Sequence, residues 1–298
     1  MSTQHKTVLF EEALESLNVK KGEVYIDATL NGGGHAQGIL DKGGKVFGVD
    51  IDPEAIKFSA KKFDLELKRQ NGLYVARSTF LTIVQGNFAK IRELSSVFGV
   101  LGTSGVLFDL GLSSLQLDNA QRGFSFNKEG PLDMRMDPGL NITAADLINS
   151  LNERELYELF TEFGQERYSR YIVRHLLEAR IKEKITTTRK LAEIIERCIR
   201  KKGKIHPATK VFQALRIVVN DELNNLKIGL NEAASLLKKQ GRLVVISFHS
   251  LEDRVVKKFL MERSELKIIT KKPIIPSRRE VLDNPRSRSA KMRVAEKQ

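Results

Sequence analysis

A single cysteine, Cys198, and no tryptophan occur in the 298 residues. One thiol cannot close an intramolecular disulfide or furnish a multi-cysteine zinc site, so a disulfide-stapled scaffold is excluded and a reducing, cytoplasmic setting is expected. No apolar run approaches the roughly 20 residues that a bilayer crossing needs, and the segment Met1–Glu12 lacks the apolar stretch of a signal peptide. Neither secretion nor a membrane span is expected. Internal repeats and low-complexity segments are absent as well. His35, His206 and His249 are scattered without ligand spacing, so no metal is expected.

What is present is a chain with 41% apolar and 29% charged residues, enough to bury one large core or two ordinary ones. The formal net charge of +13 is unevenly spread. Residues 1–166 carry 17 Lys/Arg against 23 Asp/Glu, whereas residues 167–216 carry 15 against 4 and residues 267–298 carry 10 against 3. Two basic segments beside an acidic first half favour a polyanionic partner, because clustered Lys and Arg match a phosphate backbone.

The first 115 residues alternate short apolar runs with helical patterns, the signature of a mostly parallel, doubly wound α/β sheet. Strands are predicted at Val24–Ala28, Lys45–Asp50, Phe80–Gln85 and Gly105–Asp109, with helices over His35–Lys42, Glu54–Leu67 and Phe88–Phe98. A Gly- and Asp-rich loop, Gly111 to Gly139, follows. A helical block then opens at a capping box Ser150-Leu-Asn-Glu153 and runs, with a break near Gly164, to Lys184. Further helices are predicted from Thr187 or Thr188 to Gly203, over Pro207–Asn220 and over Glu222–Lys239. The sheet resumes with the apolar run Arg242–Phe248, then helix Glu252–Arg263 and strands Lys267–Thr270 and Ala290–Val294. Residues 1–116 and 216–298 thus read as one discontinuous α/β domain, interrupted by a helical domain over 117–215.

The most specific constellation is Asp27-Ala-Thr-Leu-Asn-Gly32-Gly-Gly34-His35, followed by Asp50 at the end of the next strand. Glycines let backbone approach a ligand, and an acid about 20 residues past the turn can accept both hydroxyls of a ribose. A dinucleotide site requires Gly-x-Gly-x-x-Gly directly after the strand. Here the glycines are consecutive and Asp27 precedes them, which would repel a pyrophosphate but suits the ammonium of an amino-acid moiety. S-adenosylmethionine has that ammonium and no phosphate, so it fits better than NAD. Asn87-Phe88 falls where an adenine contact belongs. Asp109, Ser113 and Gln116 come to the carboxyl edge of the fourth strand, and His249 to the same edge of the fifth. His249 reads equally as a base and as a core histidine bonded to the next helix.

These residues together resemble the RsmH (MraW) family of bacterial S-adenosylmethionine-dependent methyltransferases, which act on cytosine N4 in small-subunit ribosomal RNA. The resemblance spans nearly the whole chain. Its blocks are His5-Lys-Thr-Val-Leu, Asp27–His35, Asp109–Asp118, Arg122–Phe126, Gly130–Asp137, His206–Arg216, Ser247–Arg254 and Asn284-Pro-Arg-Ser-Arg-Ser-Ala290. It implies a Rossmann-like class I methyltransferase sheet with an inserted all-helical, substrate-recognising domain. It also implies cofactor contacts at Asp27, Gly33, Gly34, His35, Asp50, Phe88, Asp109 and Gln116, with Asp109, Ser113 and His249 nearest the chemistry. The partner it implies is 16S rRNA of the small ribosomal subunit in the decoding region. Arg122, Phe124, Arg135, His206, Lys210, Arg216, Arg286 and Arg288 are the expected RNA contacts, in a monomer or a homodimer.

Two departures stand out: Asn31 where the family usually has glycine, and Ala36 where it usually has serine. Asn tolerates a left-handed backbone, so the loop is expected to survive. Loss of the serine removes a potential helix-start hydrogen bond. A third feature concerns the aromatic clamp. Other amino-methyltransferases place a Pro-Pro-aromatic motif where this chain has Leu110-Gly111-Leu112, so the clamp must come from elsewhere, with Phe124, Phe126 and Phe248 as the candidates. On residue chemistry alone two other readings stand beside this one, a non-catalytic or differently targeted RNA-binding protein and an NAD-dependent oxidoreductase.

Overall fold

The computed structural model describes residues 6–70, 72–199 and 206–298. His5, at the head of the first family block, and the predicted helix end at Gly203 lie outside them. The chain divides into two compact units, Met1–Gly111 with Leu223–Gln298, and Leu112–Glu222. The division falls on either side of the expected 116/117 and 215/216 boundaries, for a packing reason. Leu112 and Leu117 pack on the helical core, and a cut at 215 would bisect a helix whose Val211, Phe212, Leu215 and Val219 all belong to that core.

In the first unit, helix α1 (Phe10–Leu17) precedes β1 (Val24–Asp27), α2 (Gly34–Asp41), β2 (Lys45–Asp50) and α3 (Pro53–Lys62). A hairpin of β3 (Leu67–Gln70) and β4 (Leu73–Arg77) comes next, then β5 (Leu81–Gln85), α4 (Ile91–Val97) and β6 (Thr103–Asp109). The described strands form one nine-stranded sheet in the order β3-β4-β5-β2-β1-β6-β7-β9-β8, where β7 is Leu237–Ser247, β8 Leu266–Ile268 and β9 Lys291–Lys297. Strands β5, β2, β1, β6 and β7 run parallel, whereas β9 is antiparallel to both of its neighbours. Val106, Leu107 and Phe108 of the central strand β6 are fully buried, which explains why that stretch reads as continuously apolar. Because β1 leads to β2 on one side and the chain later returns to β6 on the other, the β1/β6 boundary is a topological switch point. Ligands bind in the crevice outside the carboxyl ends of the strands there.

The second unit holds α5 (Ser114–Asp118), α6 (Ala144–Ser150), α7 (Glu153–Glu162), α8 (Ser169–Lys182), α9 (Thr188–Cys198) and α10 (Thr209–Val219). Each longer helix turns one stripe inward. In α9 the buried residues Leu191, Ala192, Ile195 and Cys198 follow helical spacing. The capping box predicted at Ser150–Glu153 is corrected to Asn152 and Glu155, which bond each other's backbone N–H. Ser150 closes α6 instead and donates its hydroxyl to Asp146 O. Helix α11 (Glu222–Leu236) then returns the chain to the sheet, and α12 (Ser250–Met261) and α13 (Arg278–Asp283) complete it.

Candidate active site

Three carboxylates end three neighbouring parallel strands: Asp27 on β1, Asp50 on β2 and Asp109 on β6. Hydrophobic strand interiors leave the first polar residue at the sheet edge, so the strands' length places all three at the switch point. Asp27 is buried, accepts from Thr29 N and Ala36 N, and has its pKa raised to about 7, chiefly by burial and further by Asp50. The Ala36 N–H thus gains a helix-start partner in Asp27, and Ala36 itself is fully buried. Burial likewise holds the Asp109 carboxyl well above the usual range, reinforced by the charges of Asp27 and Glu252. His35 Nδ1 lies 3.6 Å from Asp109 Oδ2, beyond hydrogen-bond range, and Asp109 Oδ1 has no hydrogen-bond partner.

The turn between β1 and α2 is held from several sides. Asn31 adopts the left-handed conformation with φ 48°, as its residue type allows. Its N–H donates to Asp50 Oδ2 at 2.7 Å, its side chain reaches Asp109 O at 3.4 Å, and Ser59 Oγ donates to its carbonyl. Gly33 caps α2 with φ 65°, a conformation natural to glycine. Lys62 Nζ donates to Gly32 O and Gly33 O at 3.0 and 2.9 Å. Sequence reasoning missed Lys62, and also Thr29, whose Oγ1 accepts from Asp109 N at 2.6 Å. Both act through folded proximity, for which a linear motif offers no signal.

Several expected contacts have other employment. Asp50 accepts on both oxygens, from Asn31 N and from Asp52 N, which fixes its carboxylate at the end of β2. Phe88 packs edge-on against Phe108, with centroids 5.5 Å apart, and is partly buried in the sheet core. Ser113, expected near the chemistry, is corrected to the N-cap of α5. Its Oγ accepts from Gln116 N while Gln116 Oε1 accepts from Ser113 N, a reciprocal box that buries both residues. Of the two readings of His249, the structure shows the bond to the next helix: it is the N-cap of α12. Its Nδ1 accepts from Glu252 N, and buried Glu252 accepts from Phe248 N and His249 N.

The expected RNA contacts divide in the same way. Arg122 is buried and donates to Arg135 O and Met136 O, and Phe124 belongs to the helical core. Arg216 makes a two-pronged pair with Glu222 at 2.8 and 2.9 Å, with both side chains largely buried. These three are engaged inside the fold, Arg122 on backbone carbonyls, Phe124 in the core and Arg216 on Glu222. Arg135 forks onto Asp133 and ties down Pro138 O and Leu140 O. His206 stacks on Phe126 at 4.2 Å with Nε2 2.6 Å from Glu196, and Lys210 donates to Gln165 O. Arg286 and Arg288 are exposed. Of the three clamp candidates, Phe126 is occupied by His206 and Phe212, whereas Phe248 lies against Gly111, next to Asp109 at the end of β6.

A central run of parallel strands with a reversed strand near each edge, β4 on one side and β9 on the other, a glycine turn at the switch point and carboxylates on successive strand ends define a Rossmann-like methyltransferase. Comparison with known proteins specifies which kind. Residues 2–298 match the family model described as the MraW methylase family. The curated relatives include a Ribosomal RNA small subunit methyltransferase H from Deinococcus radiodurans, 48% identical over 294 residues that make up 98% of this chain and 89% of the relative. Another of that name, from Carboxydothermus hydrogenoformans, is 45% identical and covers 100% of this chain and 99% of the relative. The chain belongs to the MraW methylase family and is a methyltransferase.

Proposed function

We propose that the protein transfers the methyl group of S-adenosylmethionine to N4 of a cytosine in the decoding region of 16S ribosomal RNA, in the cytoplasm. The observation that carries this reading is the Asp109 carboxyl, buried at the switch point with Oδ1 unbonded and its pKa pushed upward. Such a group costs stability, so it belongs to a site completed by a ligand. When bound, S-adenosylmethionine supplies an electrophilic methyl group together with positive charge. Asp50 would hold the ribose hydroxyls, and Asp27, with Gly33, Gly34 and His35 around it, the amino-acid end.

The amino nitrogen of cytosine is a poor nucleophile because its lone pair is delocalised into the ring. Acceptors placed on its hydrogens restore lone-pair character as the new bond forms, and positioning removes the entropic part of the barrier. Asp109 Oδ1 and the carbonyls of Leu110 and Gly111 are the acceptors this chain offers at the end of β6. Phe248, set against Gly111, is the aromatic group available to stack on the base. The base must leave its stack to reach them, which suits a single-stranded segment. Arg286 and Arg288 would hold the backbone. Incubation with tritiated S-adenosylmethionine and small subunits from a strain lacking the modification should label 16S rRNA. Phe248→Ala should lower kcat/KM by on the order of tenfold, the worth of one base–aromatic stack. Turnover unchanged in Phe248→Ala would remove Phe248 from the site, and absence of label with the unaltered protein would remove the reaction.

A further inference from the structure

Two family blocks, the one beginning at His5 and the one beginning at Asn284, lie at opposite ends of the sequence, and neither supplies an acceptor or an aromatic group to the methyl transfer above. The fold joins them. Asn284 Nδ2 donates to Lys6 O at 3.0 Å, and Glu280 Oε1 accepts from Leu9 N at 2.8 Å. Leu9 is fully buried and stands in the left-handed region with φ 49°, an uncommon conformation for a leucine and one that persists only where its surroundings enforce it. Asn284 is itself buried and fixed from behind by Ser287, whose hydroxyl donates to Asn284 O at 2.8 Å.

The far side of this segment rests on the cofactor turn. The Thr7 side chain occupies the space that a Cβ on Gly34 would need, and Phe10 and Leu14 fill the corresponding space at Gly38. The Phe10 ring lies near-parallel to His35, with centroids 6.1 Å apart. Gly34 is therefore bare, at least in part, because residues 6–10 lie against it. We infer that residues 6–10 are a strap holding the first turn of α2 in its binding conformation, and that Glu280 and Asn284 are positioning residues that fasten it. The inference rests on Gly33, Gly34 and His35 being part of the cofactor site.

The test compares Glu280→Ala, Asn284→Ala and the conservative Glu280→Gln, which keeps an acceptor for Leu9 N. S-adenosylmethionine affinity is read by calorimetry, and amide hydrogen exchange over 34–39 is read in the ligand-free protein. Glu280→Ala and Asn284→Ala should weaken binding by about tenfold, the order expected for loss of one well-placed hydrogen bond, and should speed exchange over 34–39. Glu280→Gln should stay near the unaltered protein in both. Gly34→Ala should also weaken binding, and Thr7→Gly in the same chain should restore part of the loss. Folded Glu280→Ala and Asn284→Ala variants with unaltered exchange and affinity would overturn the strap. Failure of Thr7→Gly to rescue would show that Gly34 is bare for the ligand alone. If the unaltered protein bound no S-adenosylmethionine, the cofactor reading would fall while hydrogen exchange still decided the fastening.

Discussion

At the scale of the residue, the site is a conflict between stability and function. Asp27 and Asp109 are held above their ordinary pKa by burial, with Asp50 adding to the shift of Asp27 and Asp27 and Glu252 to that of Asp109. A carboxyl whose folded pKa is raised binds more protons in the native state than in the unfolded chain, so stability falls as pH rises between the two values. For Asp27 that window runs from its ordinary 3.8 to about 7. Asp27 should therefore take stability from the ligand-free protein as pH rises from 3.8 to about 7, as scanning calorimetry would record. Asp109→Asn removes a second carboxyl of the same kind and should reduce the loss of stability at high pH, leaving the variant at least as stable as its parent at pH 8. The same variant should lose methyl transfer. A variant less stable than its parent at pH 8 would contradict the assignment of Asp109 as a strained carboxyl.

At the scale of the element, the parallel strands and the glycine turn were legible because burial on both faces makes strands apolar and because the switch point collects acids. Strands β1, β2, β5, β6 and β7 fall where the apolar runs predict them, with shifts at the ends. The β3–β4 hairpin was not foreseen. Its outer strand is largely exposed and reads Leu67-Lys-Arg-Gln70, so the only available signal was Asn71-Gly72, a dipeptide favoured in hairpin turns. Helix α5 was also hidden in a loop rich in Gly and Asp, although Ser113 and Gln116 carry a capping-box pattern. Ser113 and His249 are ambiguous in sequence for one reason: a polar residue at a strand's carboxyl edge is also where the next helix needs its cap. Ser113→Ala should accordingly cost about 1 kcal/mol in urea unfolding, as a lost N-cap does. Phe108→Ala, at the centre of β6, should cost about 3–5 kcal/mol as a cavity in the sheet core.

At the scale of the whole molecule, charge is the feature that sequence reads best and assigns to individual residues worst. The excess of Lys and Arg over 167–216 and 267–298 marks a polyanion partner. Which arginines meet it depends on burial, and Arg122 and Arg216 turn inward to carbonyls and to Glu222. Replacing both Arg286 and Arg288 by Gln should reduce the slope of log affinity against log salt for single-stranded rRNA by about 1.4, some 0.7 per lost phosphate contact. Arg216→Gln should instead lower stability by on the order of 1–3 kcal/mol with that slope unchanged, because it removes a two-pronged, charge-assisted pair with a largely buried glutamate. The central claim, that this scaffold methylates cytosine N4 in 16S rRNA with Asp109 as acceptor, is tested most directly by nucleoside mass spectrometry. The substrate is small subunits lacking the modification, incubated with S-adenosylmethionine and either the unaltered protein or Asp109→Ala. The account predicts N4-methylcytosine with the first and none with the second. A methylated nucleoside of another kind, or equal N4-methylcytosine from both proteins, would contradict it.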